Sequence, residues 1–169
     1  NNIEKLKLLE IWKMIGYYEL IEYLYYQVEE YNLYTNYIGD KIKEMVKELL
    51  DNFAISESMA IIYSSVKSAA AFKQKENITH SHAINTLYTN LYNSNNKILS
   101  GEWNRNSYGR NFDLPQSIIS KHFFDVWLKI GNSGFTKVPK LEAIPVGYIN
   151  SAKVSIEPFS ENIQSKGDE

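Results

Sequence analysis

Cysteine is absent from the chain. No disulfide framework, thiolate metal site or cysteine nucleophile can be built from it, and the absence favours a reducing, cytoplasmic compartment. Proline is scarce and unevenly placed. All four (Pro115, Pro139, Pro145 and Pro158) fall after residue 114, which leaves the first two thirds free of the strongest helix breaker. Arginine is scarcer still: of 18 basic residues only Arg105 and Arg110 are arginine, and the other 16 are lysine. Together with abundant Asn, Ile and Tyr, this skew is what an A+T-rich genome would encode without functional selection. Neither charge is in excess, since 18 Lys and Arg face 20 Asp and Glu for a formal net charge of −2. A domain whose main task is gripping phosphate backbones is usually clearly basic, so any nucleic-acid reading must rest on a local patch. There is no run of ~18 apolar residues, so no segment reads as membrane-spanning. The polar opening lacks the apolar core of a secretory signal.

What is present reads as an all-α chain. Its 169 residues suit one domain. A chain of that size buries roughly 70% of its unfolded surface and needs no covalent staples. The first residue is Asn1 rather than Met, as in an excised or trimmed domain. Apolar residues at Ile3, Leu6, Leu9, Trp12 and Ile15 mark a first helix, which either ends at Gly16 or runs on through Tyr17, Leu20, Ile21, Leu24, Val28 and Tyr31. Asp40 suits the N-cap of a helix carrying Ile42, Met45, Val46, Leu49 and Phe53. Ser56 suits the cap of another, with Met59, Ile62, Tyr63, Val66, Ala69 and Ala70 facing inward. Its small-sided run over 64–71 would let a neighbouring helix approach closely. Thr79 or Ser81 opens a helix with Ala83, Ile84, Leu87, Tyr88 and Leu91 on one face. Periodicity then lapses over 93–114, a long loop of the kind often given to function. Pro115 fits the first turn of a last helix with Ile119, Phe123, Val126, Trp127 and Ile130 inward, closed by Gly131.

The expected architecture is therefore a bundle of about six helices over 1–131, followed by an irregular segment over 132–169. Within that segment, residues 144–149 and 153–156 have the make-up of a short β-hairpin, and 160–169 of a polar tail. The expected core contains Leu9, Trp12, Leu24, Val46, Leu49, Ile62, Val66, Leu87, Phe123, Val126 and Trp127.

The most distinctive chemistry lies over 101–112, where both arginines are interleaved with aromatics and amides. Guanidinium groups grip phosphates in a bidentate fork, and aromatic rings stack on unpaired bases. Arg105, Arg110, Trp103, Tyr108, Asn104 and Asn106 are thus candidate contacts to nucleic acid or another anion, with Lys97 and Lys121 as auxiliaries. The competing reading is a loop anchored to the bundle by Trp and Phe, with its arginines paired to nearby carboxylates. The helices opened by Ser56 and by Thr79 or Ser81, joined by Gln74 to Thr79, also suggest a helix-turn-helix offering His80, His82, Asn85, Thr86 and Asn90. The connection looks long for that motif, lacks its glycine, and the face carries no phosphate-gripping charge.

His80 and His82 sit where a helix N-terminus would keep imidazole neutral, and His122 lies in the last helix. Their spacing matches no metal signature, and no glycine-rich phosphate loop, nucleophile elbow or helical metalloprotease motif is present. No catalytic residue, metal or cofactor is assigned. Tyrosines from 17 to 37, among them Tyr18, Tyr23, Tyr25, Tyr26 and Tyr34, surround their helix. A helix apolar on more than one side is either central in its bundle or makes a second contact. The expectation that follows is an interaction or assembly module, self-associating or bound to a protein partner, with nucleic-acid binding through 101–112 as the alternative.

Overall fold

Residues 2–145 are described by the computed structural model, and every regular element among them is helical. The two apolar stretches at the start form one long helix, α1 (Asn2–Glu30). Gly16 does not end it. A Cβ at this position would lie 3.2 Å from the Ile55 side chain, so its absence lets α1 close onto the segment that begins there. The second helix, α2 (Asp40–Leu49), is capped by Gly39. Asp40 therefore sits in the first turn rather than at the cap, still favourably placed at the positive end of the helix dipole.

The third helix, α3 (Ile55–Glu76), begins one residue ahead of the expected cap, and Ser56 is buried inside it. Glu57 caps the helix instead, its carboxylate accepting the Ala54 N–H at 2.9 Å. Asn77 takes a left-handed conformation (φ 50°) at the end of α3, a place usually filled by glycine. Thr79 caps α4 (His80–Leu99), its Oγ1 accepting the His82 N–H at 3.2 Å. Only Asn77, Ile78 and Thr79 separate the two helices, a shorter connection than the sequence suggested. Lys73 meets His80 and, farther from the turn, Ser65 meets Asn90, as in an antiparallel hairpin. α4 runs on past Asn93, where the apolar pattern fades, because buried Ser94 and half-buried Ile98 continue the Leu91 face.

The last expected helix departs furthest from its pattern. Pro115 precedes it, Ser117 caps it, and α5 (Ile118–Lys121) passes into a π-helical stretch, His122–Trp127. There the Leu128 N–H donates to the Phe123 carbonyl, five residues back, at 2.9 Å. The wider turn brings the adjacent Phe123 and Phe124 inside together with Leu128. Val126 and Trp127, expected in the core, are 53% and 46% exposed, and Ile119 is exposed as well. A short α6 (Ser133–Thr136) follows.

Two apolar clusters result. The main one joins α1–α4 through Leu24, Val46, Leu49, Ile62, Val66 and Leu87, and also takes in Phe53 and Phe135. The second holds Leu8, Trp12, Ile15, Phe123, Phe124, Leu128 and Ile144, with half-buried Leu9 against it. Trp12 is its hub: its ring meets Phe124 edge-on at 5.6 Å, and its Nε1–H donates to the Gly134 carbonyl at 2.9 Å. Among the described residues the fold is an all-α bundle of six α-helices: the first two apolar stretches run on as one, the second of the alternatives their spacing allowed, and short α6 makes up the number. Most of the expected hairpin and all of the 160–169 tail lie outside the described residues. Among the described residues no helix is long and apolar enough to cross a membrane.

Candidate functional site

The loop after α4 runs over the bundle and is fastened to it by its arginines. Both terminal nitrogens of Arg105 donate to the Asn52 carbonyl at 3.3 Å. Nη1 also reaches the Glu57 carboxylate at 3.3 Å, and the guanidinium lies 4.8 Å from the Phe53 ring centre. Arg105 thus clamps the α2–α3 connection through the same carboxylate that caps α3. Arg110 donates to Glu19 Oε2 on α1 at 3.0 Å, and its guanidinium stands 4.3 Å from the Phe135 ring centre. The Glu19 side chain is nearly buried, and its other oxygen, Oε1, has no hydrogen-bond partner. Lys97, the auxiliary cation, pairs with Glu102 at 3.1 Å and sits 4.7 Å from the Trp103 ring centre. Each of these three cations faces a carboxylate of its own chain, so the loop presents little free positive charge. Lys121 is exposed on α5.

The anchors differ from those expected of a merely structural loop. Trp103 is 46% exposed and Phe112 almost wholly so. Tyr108 does the anchoring instead: its N–H donates to the Ser56 carbonyl at 3.0 Å, and its ring meets Tyr63 edge-on at 5.5 Å. Tyr63 accepts the Tyr31 hydroxyl at 3.2 Å, and Tyr26 donates to Asp113 at 2.8 Å. Tyr23 is buried among these rings. Burial, and then the neighbouring tyrosines beginning with Tyr108, push its hydroxyl up to about 12. The hydrogen bond to Tyr63, and then burial, raise Tyr31 to about 12. This tyrosine cluster joins α1, α3 and the loop. Its members Tyr31, Tyr63 and Tyr108 come from distant stretches, so no local pattern announced it.

The five tyrosines considered for an interface are therefore divided. Tyr23 belongs to the buried cluster, Tyr25 packs partly buried against the main core, and Tyr26 holds the loop. Tyr34 is exposed and stacks on His80, ring centres 3.7 Å apart. Tyr18 is 64% exposed on α1. It lines an open groove of about 550 Å³ between α1 and α2, whose floor also has Met14 and Tyr17. Four carboxylates (Glu10, Glu44, Glu48 and Asp51) and two lysines (Lys13 and Lys47) stand around it, and Lys13 is tied to Asp51 at 2.6 Å. Met14 was not singled out from the sequence. It falls one helical turn before Tyr18, a spacing that could have linked the two.

A second concavity lies between α3, α4 and the loop. It consists of two adjoining hollows, of about 410 and 240 Å³, that share Ser64, Ser94 and Trp103. Asn104, Asn106 and Tyr108 line the larger one; Arg105 and Arg110 do not.

The histidines have separate surroundings. His122 lies beside Trp127 and His82 beside Phe72. His80 Nε2 is 3.1 Å from Lys73 Nζ. An ammonium only donates, so this contact asks Nε2 to accept, while the buried Nδ1 has no partner in the protein. Burial, reinforced by the Lys73 charge, holds His80 below the ordinary imidazole range. Among the described residues no three His, Asp or Glu side chains gather where a metal ion could be held. On the helix-turn-helix face, Asn90 donates to the Ser65 carbonyl at 3.2 Å and is half-buried.

The chain has no match among protein-family models, curated proteins or solved structures, so its functional reading rests on its own residues.

Proposed function

We propose that the chain is a helical interaction module whose α1–α2 groove receives a basic amphipathic helix of a protein partner. The observation that carries this is the pairing of an exposed apolar floor, Met14 and Tyr18, with a surround of four carboxylates and two lysines. Methionine adapts to varied apolar partners, and tyrosine gives contact area with a polar tip. A helix lying in such a groove inserts apolar residues at three- and four-residue spacing, and lysines beside them meet Glu10, Glu44 and Glu48. A second copy docking through the same groove would bring like charges together, which favours a different protein over self-association.

Nucleic-acid binding through the loop over 101–112 is the weaker reading. Exposed Trp103 and Tyr108 support it, but Arg105 and Arg110 are already engaged with Glu57 and Glu19.

The test is an NMR titration of the isotope-labelled chain with a designed Leu/Lys helix of about 18 residues, long enough to hold its fold when docked. Shifts should concentrate at Met14, Tyr17, Tyr18, Glu44 and Glu48. Met14→Ala/Tyr18→Ala should weaken binding about tenfold, or about 1.4 kcal/mol. Shifts centred elsewhere, or equal binding of a Leu/Glu helix, would overturn the proposal.

A further inference from the structure

We infer that the paired hollows between α3, α4 and the loop form a binding site for a small neutral ligand rich in hydroxyls, of mono- or disaccharide size. The floor is set by the small residues that let α3 and α4 come close. Ser64, Ser65 and Ser68 on one helix face Asn90, Asn93 and Ser94 on the other. Serine hydroxyls and asparagine amides each donate and accept, as a polyhydroxylated ligand requires of its site. Trp103 lines both hollows, and with Lys97 over one face of its ring the other is left as the kind of flat wall against which the C–H face of a sugar ring packs.

Ser65 distinguishes this floor from an ordinary close helix crossing. It is 1% exposed and lines the smaller hollow, yet its Oγ has no hydrogen-bond partner in the protein. A buried hydroxyl left unpaired costs stability, and a ligand hydroxyl entering the hollow would satisfy it. Its neighbour is used differently: Ser64 Oγ donates to the Ile61 carbonyl at 3.1 Å and retains capacity to accept. Asn90 is fixed by its bond to the Ser65 carbonyl, so its side chain is held in place beforehand.

Charge and size define the ligand further. Lys97 and Glu102 neutralise each other at the rim, and neither arginine lines the hollows. A phosphorylated or carboxylated ligand would therefore find no free cation. The two volumes fall around the lower end of the usual range for small-molecule sites, about 300–1,000 Å³. From Ser64 to Ser68 the floor extends about 6 Å along α3, the length of one sugar ring. A planar base would use the Trp103 wall but leave the row of hydroxyls unmatched. This site is independent of the α1–α2 groove.

Saturation-transfer NMR with D-glucose, D-galactose, maltose and cellobiose, with adenine as a flat neutral comparison that lacks hydroxyls, tests the inference on the intact chain. At least one sugar should show transfer, and Trp103→Ala should abolish it. Ser65→Ala is the sharper variant: it should weaken sugar binding several-fold while leaving the thermal midpoint unchanged or higher, because no protein bond is lost. The inference is overturned if no sugar shows transfer or adenine alone does. Binding that survives Ser65→Ala at full strength also overturns it.

Discussion

Arg110 Nη1 lies 3.0 Å from Glu19 Oε2, tying the long loop to α1 across 91 positions of sequence. The pair is largely shielded, and the guanidinium also rests on the Phe135 ring. Removing the cation would leave a nearly buried carboxylate without a counter-charge, which is worse than never having had the pair. Arg110→Ala should therefore cost about 3 kcal/mol in urea unfolding, and Arg110→Ala/Glu19→Gln should recover much of it. Arg105→Ala, whose side chain is nearly half exposed, should cost about 1 kcal/mol or less. Equal, small effects at both sites would show that the loop is not held this way.

Gly134 is constrained by contact rather than by backbone angle. A Cβ there would overlap the Phe124 ring, and the Gly134 carbonyl accepts the Trp12 indole N–H. Gly134→Ala should push Phe124 off Trp12, destabilise the chain by about 1–3 kcal/mol, and change the near-ultraviolet circular dichroism of Trp12. A neutral result would mean that the second cluster is loosely packed.

The tyrosine cluster gives the chain an alkaline limit. Tyr23 ionises near pH 10 when unfolded and at about 12 when folded, so the folded state holds its proton more tightly. That stability is fully present below pH 10 and is lost as pH rises through about 12. Tyr23→Phe, which keeps the ring and removes the ionising hydroxyl, should shift alkaline unfolding to higher pH. An unchanged alkaline transition would place the limit in other groups.

Helices α2 to α4 were legible because Ile42, Met45, Val46 and Leu49, and their counterparts on α3 and α4, keep strict helical spacing on one buried face. Where a small or polar residue takes an apolar position, that legibility ends. Gly16 left the end of the first helix open because a close approach and a stop both call for glycine, and Ser94 hid the last two turns of α4. Val126 and Trp127 were misplaced because α-helical spacing was assumed where the backbone forms a π-turn. The arginine loop stood out by residue type, but its partners Glu57 and Glu19 lie 48 and 91 residues away. No local pattern encodes such contacts. The hollows between α3 and α4 were legible only in part: the small-sided run over 64–71 announced a close neighbour, but not that Asn90, Asn93 and Trp103 would meet it across the hairpin and the loop.

The most direct test compares two labelled probes on the same protein at about 0.05 and 0.5 M salt, a Leu/Lys amphipathic helix and a single-stranded oligonucleotide. The docking account predicts that the helix binds at both salt levels, more weakly at the higher, and that Met14→Ala/Tyr18→Ala disrupts this binding. It also predicts no oligonucleotide binding at low salt. Oligonucleotide binding that falls steeply with salt and disappears in Trp103→Ala/Arg105→Ala, with no binding of the helix, would contradict the account and make the loop the working surface.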